Sequence, residues 1–427
     1  MSKKIRVAVA GIGSCASALI QGIRFYQLHP EFKHGLTYDS IYGYDASSIE
    51  FVVGFDIDER KVGRRISEAI YQKPNCNMQH VAPHQMVDTI AEGGVWRGST
   101  LDGVAEHMRH LPEDITFVES KTEAITAEQY RDLLKANKVD VLLNYMPVGS
   151  REASKFYIEN AIQCGVHIVN CMPSFISTEA SKELERMAVE NNVTIIGSDM
   201  RSAFGASRLS EVLQGSMIDS GLTVTQHIQM NMAAGTTQNQ HDIITGRSAN
   251  TDFLNMAVQS RLEDKHISKE NVLTGQNKVR DVSTAGTTMY AGPSLTVFQK
   301  PGGQYVGSDN KIANLDIVAY GWAGARYELT ARLSVQDSPN SGGIVFDAIR
   351  FCKAASDLGV VGYLRGPSAW TQKTPPVQMK TADSKFECDA LARGIITPML
   401  QKQIKANGPV DVEALDWTFQ KSTTDYA

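Results

Sequence analysis

The chain has 427 residues, more than one hydrophobic core usually serves, so two domains are expected, each able to bury a substantial interior. With 42% hydrophobic residues, 21% charged residues and a formal net charge of −5, it lacks the basic excess of a nucleic-acid binder, and any positive site must be local. Six cysteines without C-x-x-C spacing point to reduced thiols and a cytoplasmic home, and neither a leader-like apolar region nor ~20 uninterrupted apolar residues suggests export or a membrane span.

Residues 5–11, IRVAVAG, read as a strand that runs into the turn Gly11-Ile12-Gly13-Ser14-Cys15-Ala16, followed by a helical stretch. This is the G-x-G-x-x-A variant of the dinucleotide turn in its proper context, where backbone N–H groups approach a pyrophosphate at a helix N-terminus. Gly11, Gly13, Ser14 and Cys15 are the candidate cofactor contacts. The second strand, FVVGFDID at 51–58, places Asp56 at its end, after a turn-rich stretch that stretches the usual ~20-residue offset. A carboxylate there accepts from both ribose hydroxyls and repels a 2′-phosphate, favouring NAD over NADP. The basic residues that follow, Arg60, Lys61, Arg64 and Arg65, read as a solvated helix face.

Further strands are expected at 115–120, 139–147, 166–173 and 193–199, separated by helices at 150–165 and 177–192 that each open on a Ser or Thr cap. Alternation of this kind predicts parallel βαβ winding. From about residue 220 the pattern changes to strands of alternating polarity, at 222–232, 278–284, 294–299, 314–323 and 326–335, which predict a largely antiparallel sheet needing a cover, often a sister subunit. Residues 233–250 form a polar, loop-like stretch of the kind that serves as a lid. The helical period then returns at 338–359, with Gly359 as the stop, so the chain rejoins the first domain.

Lys265 and Lys269 stand one helical turn apart, which concentrates positive charge on one face, although exposed lysines commonly decorate helices. Lys311 and Lys373 are unremarkable singly. Asp199 sits where a strand ends, the ligand-facing edge of a doubly wound sheet, and Asp337 precedes a helix start where a cap would stand. No HExxH pair, Cys/His cluster or G-x-S-x-G elbow occurs, so neither a metal site nor a hydrolase is expected.

Taken together, VAVAGIGSCASALIQG, FVVGFDIDERKVG, RGSTLDG (97–103), LNYMPVGS (143–150), NTDFLNM (250–256), the lysine segment, QDSPNSGG and SAWTQKTPP resemble the myo-inositol-1-phosphate synthase family, along nearly the whole chain. The resemblance implies an α/β fold: a Rossmann-type doubly wound parallel sheet at 1–215 and 342–427, with an inserted α+β catalytic and tetramerisation domain at 216–341. It implies catalytic roles for Lys265, Lys269, Lys311, Lys373 and Asp199. Cofactor contacts are implied at Asp337 and Ser338, with Tyr145 and Ser174 at strand ends lining the dinucleotide. The NTDFLN string supplies substrate-binding candidates Asn250, Asp252, Leu254 and Asn255. The implied reaction is redox-neutral conversion of glucose 6-phosphate to an inositol phosphate with NAD as the cofactor, in a homotetramer. Two departures stand near the pocket: the family's D-D-x-K-S appears as Ser198-Asp199-Met200-Arg201-Ser202, and the polar stretch 233–249 replaces a compact turn. A cyclase acting on fructose 6-phosphate to close a five-membered ring therefore stays open, as do an ordinary NAD-dependent sugar-phosphate dehydrogenase and a non-catalytic NAD sensor.

Overall fold

The computed structural model describes residues 3–86, 94–113, 116–234, 251–256, 258–279, 287–296 and 309–417. Six strands precede the change of pattern: β1 (Ile5–Ala10), β2 (Ile49–Asp56), β3 (Val95–Arg97), β4 (Val141–Asn144), β5 (His167–Asn170) and β6 (Thr194–Ile196). Four more follow it, β7 (Thr223–Ala234), β8 (Thr287–Thr296), β9 (Asn310–Tyr320) and β10 (Arg326–Gln336), and β11 (Gly362–Tyr363) comes late in the chain. The first sheet has the order β11-β6-β5-β4-β1-β2-β3 with every pairing parallel. Chain order therefore runs outward from β1 in both directions and reverses between β1 and β4, opening a crevice at the carboxyl ends of those strands.

Burial on both faces explains why these strands read as apolar runs. Val7 and Val9 join Val141 and Leu143 in one core under the helices Ser14–Leu28 and Asp337–Asp357, while Ala8 and Ala10 join Val53, Phe55 and Leu142 in the other, under Ala127–Ala136, Arg151–Ile162 and Thr178–Glu190. The third parallel strand differs from expectation. It is the short Val95–Arg97 and not 115–120, where Glu119 makes only an isolated bridge to Asp58. Three residues are too few to show a period.

The second sheet has the order β10-β9-β7-β8; β9 is antiparallel to both neighbours, whereas β7 and β8 run parallel. That parallel pair needs a crossover, and the Gln259–Val279 helix supplies it, absorbing the first part of the strand expected at 278–284. The sheet's inner face is covered by the Ala206–Asp219 helix, whose Leu209, Leu213 and Met217 pack on Ala313, Leu315, Ile317 and Leu333. The Asp337–Asp357 helix then returns the chain to the first sheet. It ends at Leu358 and Gly359, the latter at φ +76°, and β11 pairs beside β6. Among the described residues no helix is long and apolar enough to cross a membrane.

Candidate active site

Gly11 takes φ +93°, and a Cβ there would lie 2.5 Å from the Tyr145 carbonyl oxygen, so a side chain is excluded twice over. Its N–H donates to Phe55 O at 2.8 Å, and Tyr145 N donates to Ala10 O at 2.8 Å, wedging the turn between the ends of β2 and β4. Gly13 caps the Ser14–Leu28 helix without a side-chain bond, and Gly13 to Ala16 line the crevice. Asp56 closes the turn from β2: Oδ2 accepts from Ile12 N at 2.9 Å, and Oδ1 accepts from Ile57 N at 2.7 Å and Asp58 N at 2.9 Å.

The reading of Arg60, Lys61, Arg64 and Arg65 as a solvated helix face is corrected in part: Arg64 and Arg65 are exposed, but they do not share a helix face with a solvated Lys61. The segment consists of turns, and Lys61 is 2% exposed, with Nζ donating to Ile12 O at 2.7 Å and Pro74 O at 3.2 Å, 3.9 Å from Asp56 Oδ2. Sequence gives little warning of such a lysine, because its partners are backbone carbonyls. Arg60 turns away, to Asp58 and the carbonyls of Glu113 and Thr116.

From this turn the cavity wall continues without a break to Lys265, Lys269, Lys311 and Lys373. The four lysines arrive by three physical routes. Lys265 and Lys269 project from one face of the Gln259–Val279 helix, and Lys311 lies on β9 beside Val335, with Asn231, Ala313 and Leu333 next along the same wall. Lys373 follows the Arg365–Thr371 helix, and its N–H donates to Asp199 O at 2.7 Å. Asp199 itself is 1% exposed and stands at φ +60°, a conformation few non-glycine residues adopt.

Asp199 is the electrostatic centre. Its Oδ1 accepts from Lys265 Nζ and Lys373 Nζ, each at 2.9 Å, and Oδ2 accepts from the Ser268 hydroxyl. Burial works to raise this carboxyl, but the two ammoniums and the hydroxyl outweigh it and hold it well below the usual range. Lys373 also donates to Met200 O. Burial, with help from Lys265, pushes Lys373 down to about 7 against the pull of Asp199. Lys269, which donates to Ser207 Oγ at 2.9 Å, is lowered well below the ordinary lysine value by burial first and then by Lys373, Lys265 and Lys311. Lys311 pairs with Asp337, whose carboxyl is lowered by that ammonium in spite of burial.

Of the remaining expected residues, Ser14, Cys15, Tyr145, Asp337 and Ser338 line the same cavity. Ser338 donates its hydroxyl to Asp309 Oδ1 at 2.6 Å, and burial pushes Asp309 up to about 7. Ser174 lies behind the wall, bonded to Asn170 Nδ2 at 3.0 Å. Asn250 lies outside the described residues, and Asp252 and Leu254 fall on the Thr251–Met256 helix. Asn255 is turned from the cavity to the backbone: Nδ2 donates to Gly103 O and Oδ1 accepts from Ala105 N, both at 2.8 Å. Sequence reasoning missed Ser207 and Arg208 on the wall, at the start of the Ala206–Asp219 helix, and Ser268 behind Asp199. The departure at Arg201 is a buried guanidinium on Glu211 that also donates to Gln372 O at 2.6 Å.

The sequence profile of myo-inositol-1-phosphate synthase matches residues 205–338. The chain is 33% identical over 401 residues to an inositol-3-phosphate synthase of Mycolicibacterium smegmatis, covering 92% of this chain and 98% of that one. It is 34% identical over 382 residues to an inositol-3-phosphate synthase of Corynebacterium glutamicum, covering 88% and 94%. Among solved structures, a myo-inositol-1-phosphate synthase-related protein from Thermotoga maritima superimposes with a TM-score of 0.70 at 19% identity, covering 92% of this chain and 99% of that one. An inositol-3-phosphate synthase from Caenorhabditis elegans gives a TM-score of 0.64 at 13% identity, covering 92% and 86%, a likeness of fold. A third of the residues shared with curated relatives along nine-tenths of the length, on this fold, places the chain in the myo-inositol-1-phosphate synthase family of enzymes.

Proposed function

We propose that the enzyme converts glucose 6-phosphate to 1L-myo-inositol 1-phosphate by oxidation at C5, enolisation, intramolecular aldol closure and re-reduction, with NAD as a cofactor that is used and regenerated. The observation that carries this reading is the shared Asp199 oxygen, which gathers Lys265 and Lys373 in one cavity with Lys269, Lys311 and the glycine turn. A dehydrogenase needs no such cluster of amines.

The residues present fit a dinucleotide. The turn at Gly11 leaves no room for a side chain, the helix start behind Gly13 has no side-chain cap, and the buried Tyr145 hydroxyl has no hydrogen-bond partner among the described residues. Asp56 would hold the adenosine ribose, and with Arg60 engaged elsewhere the crevice favours NAD over its 2′-phosphorylated form. Held there, NAD would supply the hydride acceptor for C5 and, once reduced, the hydride donor that restores it.

Lys269, whose charged form is disfavoured by burial and by the neighbouring ammoniums, would take the C5 hydroxyl proton and later give it back, with Ser207 fixing its direction. The ketone at C5 acidifies C6, and the enolate oxygen needs fixed positive charge in a water-poor site, which Lys265 and Lys311 would provide. When C6 attacks the C1 aldehyde, Lys373 would donate to the new alkoxide; a value near 7 keeps it close to balanced between donor and acceptor. The N-terminus of the Ala206–Asp219 helix, with Ser207 and Arg208 on the wall, offers N–H groups and charge for the substrate phosphate. We further propose that the chain works as a homotetramer in the cytoplasm.

Incubation of purified protein and NAD with glucose 6-phosphate, and separately with fructose 6-phosphate, tests the reading. The expected result is a six-membered carbocycle by NMR from the first sugar, with no net gain of NADH absorbance. NADH accumulating in step with product would make the protein a dehydrogenase, and a five-membered ring from the second sugar would reassign the substrate.

A further inference from the structure

The two oxygens of Asp199 keep different company. Oδ1 meets both ammoniums, whereas Oδ2 takes the hydroxyl of Ser268, a fully buried residue between Lys265 and Lys269 on the same helical turn. Ser268 in turn accepts from Thr374 Oγ1 at 3.0 Å, and Thr374, 2% exposed, is the residue after Lys373. The Thr374 backbone is locked to the strand end that carries Asp199, because Ser198 N donates to Thr374 O and Thr374 N to Ser198 O, each at 3.0 Å. A line of hydroxyls therefore runs from Thr374 through Ser268 to Asp199, tying together the three chain segments that supply the carboxylate, Lys265 and Lys373.

A carboxylate can turn about its Cβ–Cγ bond, and two lysines sharing one oxygen leave it free to do so unless the other oxygen is held. A hydroxyl donating to an anion makes one of the stronger neutral-to-charged hydrogen bonds, and a second hydroxyl donating into the first strengthens it. Neither Ser268 nor Thr374 is among the cavity-lining residues, so both would act through Asp199.

We propose that Ser268 and Thr374 are positioning residues for ring closure: their paired hydroxyls stop Asp199 from turning, so that one oxygen holds Lys265 and Lys373 in register over the reacting atoms. The proposal rests on reading the lysine cavity as the sugar-phosphate site. The charged and titratable groups around Asp199 and Lys373 are Lys265 and Lys269 from the Gln259–Val279 helix, Lys311 from β9, Asp337 from the following helix start and the Cys171 thiol after β5.

The test compares Ser268→Ala, Thr374→Val and Thr374→Ser with the parent enzyme by two independent readouts. Competitive labelling with trace acetic anhydride across pH, read by mass spectrometry of the Lys373 peptide, follows that amine without substrate. Once freed to turn, the carboxylate spreads its attraction over more orientations, so Ser268→Ala and Thr374→Val should label Lys373 with a midpoint lower by about half a pH unit or more. Thr374→Ser should match the parent. In turnover, kcat should fall about tenfold in the first two variants while KM for the sugar phosphate changes little. An unmoved labelling midpoint, or Thr374→Ser behaving as Thr374→Val, overturns the proposal. Should Ser268→Ala fail to fold, the two Thr374 variants decide it. If the parent enzyme forms no carbocycle, the proposed function falls, and the labelling comparison still decides the hydroxyl relay.

Discussion

Asp199 and Asp309 show how one fold drives two buried carboxyls in opposite directions. Two ammoniums and a hydroxyl keep Asp199 ionised, so Asp199→Asn, which keeps the shape and removes the charge, should lower kcat by about a hundredfold or more. Its effect on pH is also signed. In the parent, turnover should fall as pH rises through about 7, where Lys373 loses its proton, and without Asp199 that limb should move to lower pH. A pH profile of kcat with NMR-detected product checks both. Asp309 keeps its proton in the fold up to about 7 but ionises near 3.8 when unfolded, chiefly because of burial. Stability should therefore decline as pH rises from 3.8 toward 7 and stay lowered above it. Asp309→Asn removes that cost, and thermal melts should show it more stable than the parent at pH 8, on the order of 1–3 kcal/mol, with the gap closing in acid.

At the level of elements, the lysine helix is set by a seam distinct from the catalytic groups. Arg261 donates to Val148 O at 3.1 Å and to Asp102 O, and Arg151 Nε meets both oxygens of buried Asp264 at 3.0 Å. Gly149 underlies the seam at φ +83°, where a Cβ would lie 2.3 Å from Arg261 Cγ. Gly149→Ala should cost roughly 1–3 kcal/mol in chemical denaturation and lower kcat, since Lys265 lies one turn beyond Arg261. None of this was legible beforehand, because a seam of side chains on carbonyls leaves no pattern in sequence. The parallel strands were legible for the opposite reason: Val7 to Ala10 and Val141 to Leu143 are buried on both faces and so must be apolar throughout. The parallel pairing of β7 with β8 was hidden, since strand composition does not encode direction.

Across the whole molecule, the expected cover for the second sheet turns out to lie within the chain, on the Ala206–Asp219 helix. The outward face remains, with Val318 and Tyr320 on β9 flanked by Gln226 and Thr223 on β7 and by Glu328 and Arg326 on β10. Light scattering after size exclusion should give four times the mass of one chain, and Val318→Glu should reduce it. The lysine constellation shows the limit of sequence reasoning at this scale. Only Lys265 and Lys269 announce themselves by spacing, and Lys311 and Lys373 were joined to them by resemblance before the sheet register and the Asp199 contacts placed them on one wall.

Crowding several amines around so few acids has a thermodynamic consequence. Lys269 and Lys373 sit below their ordinary values because of burial first and then because neighbouring ammoniums repel their charge, and the arrival of a phosphate dianion offsets both effects. Lys373, near 7 in the empty site, should then draw a proton from the surrounding buffer as the sugar phosphate docks. Titration calorimetry at pH 8 would register the uptake as a binding heat that changes with the ionisation enthalpy of the buffer, and the complex should loosen as the medium becomes more alkaline.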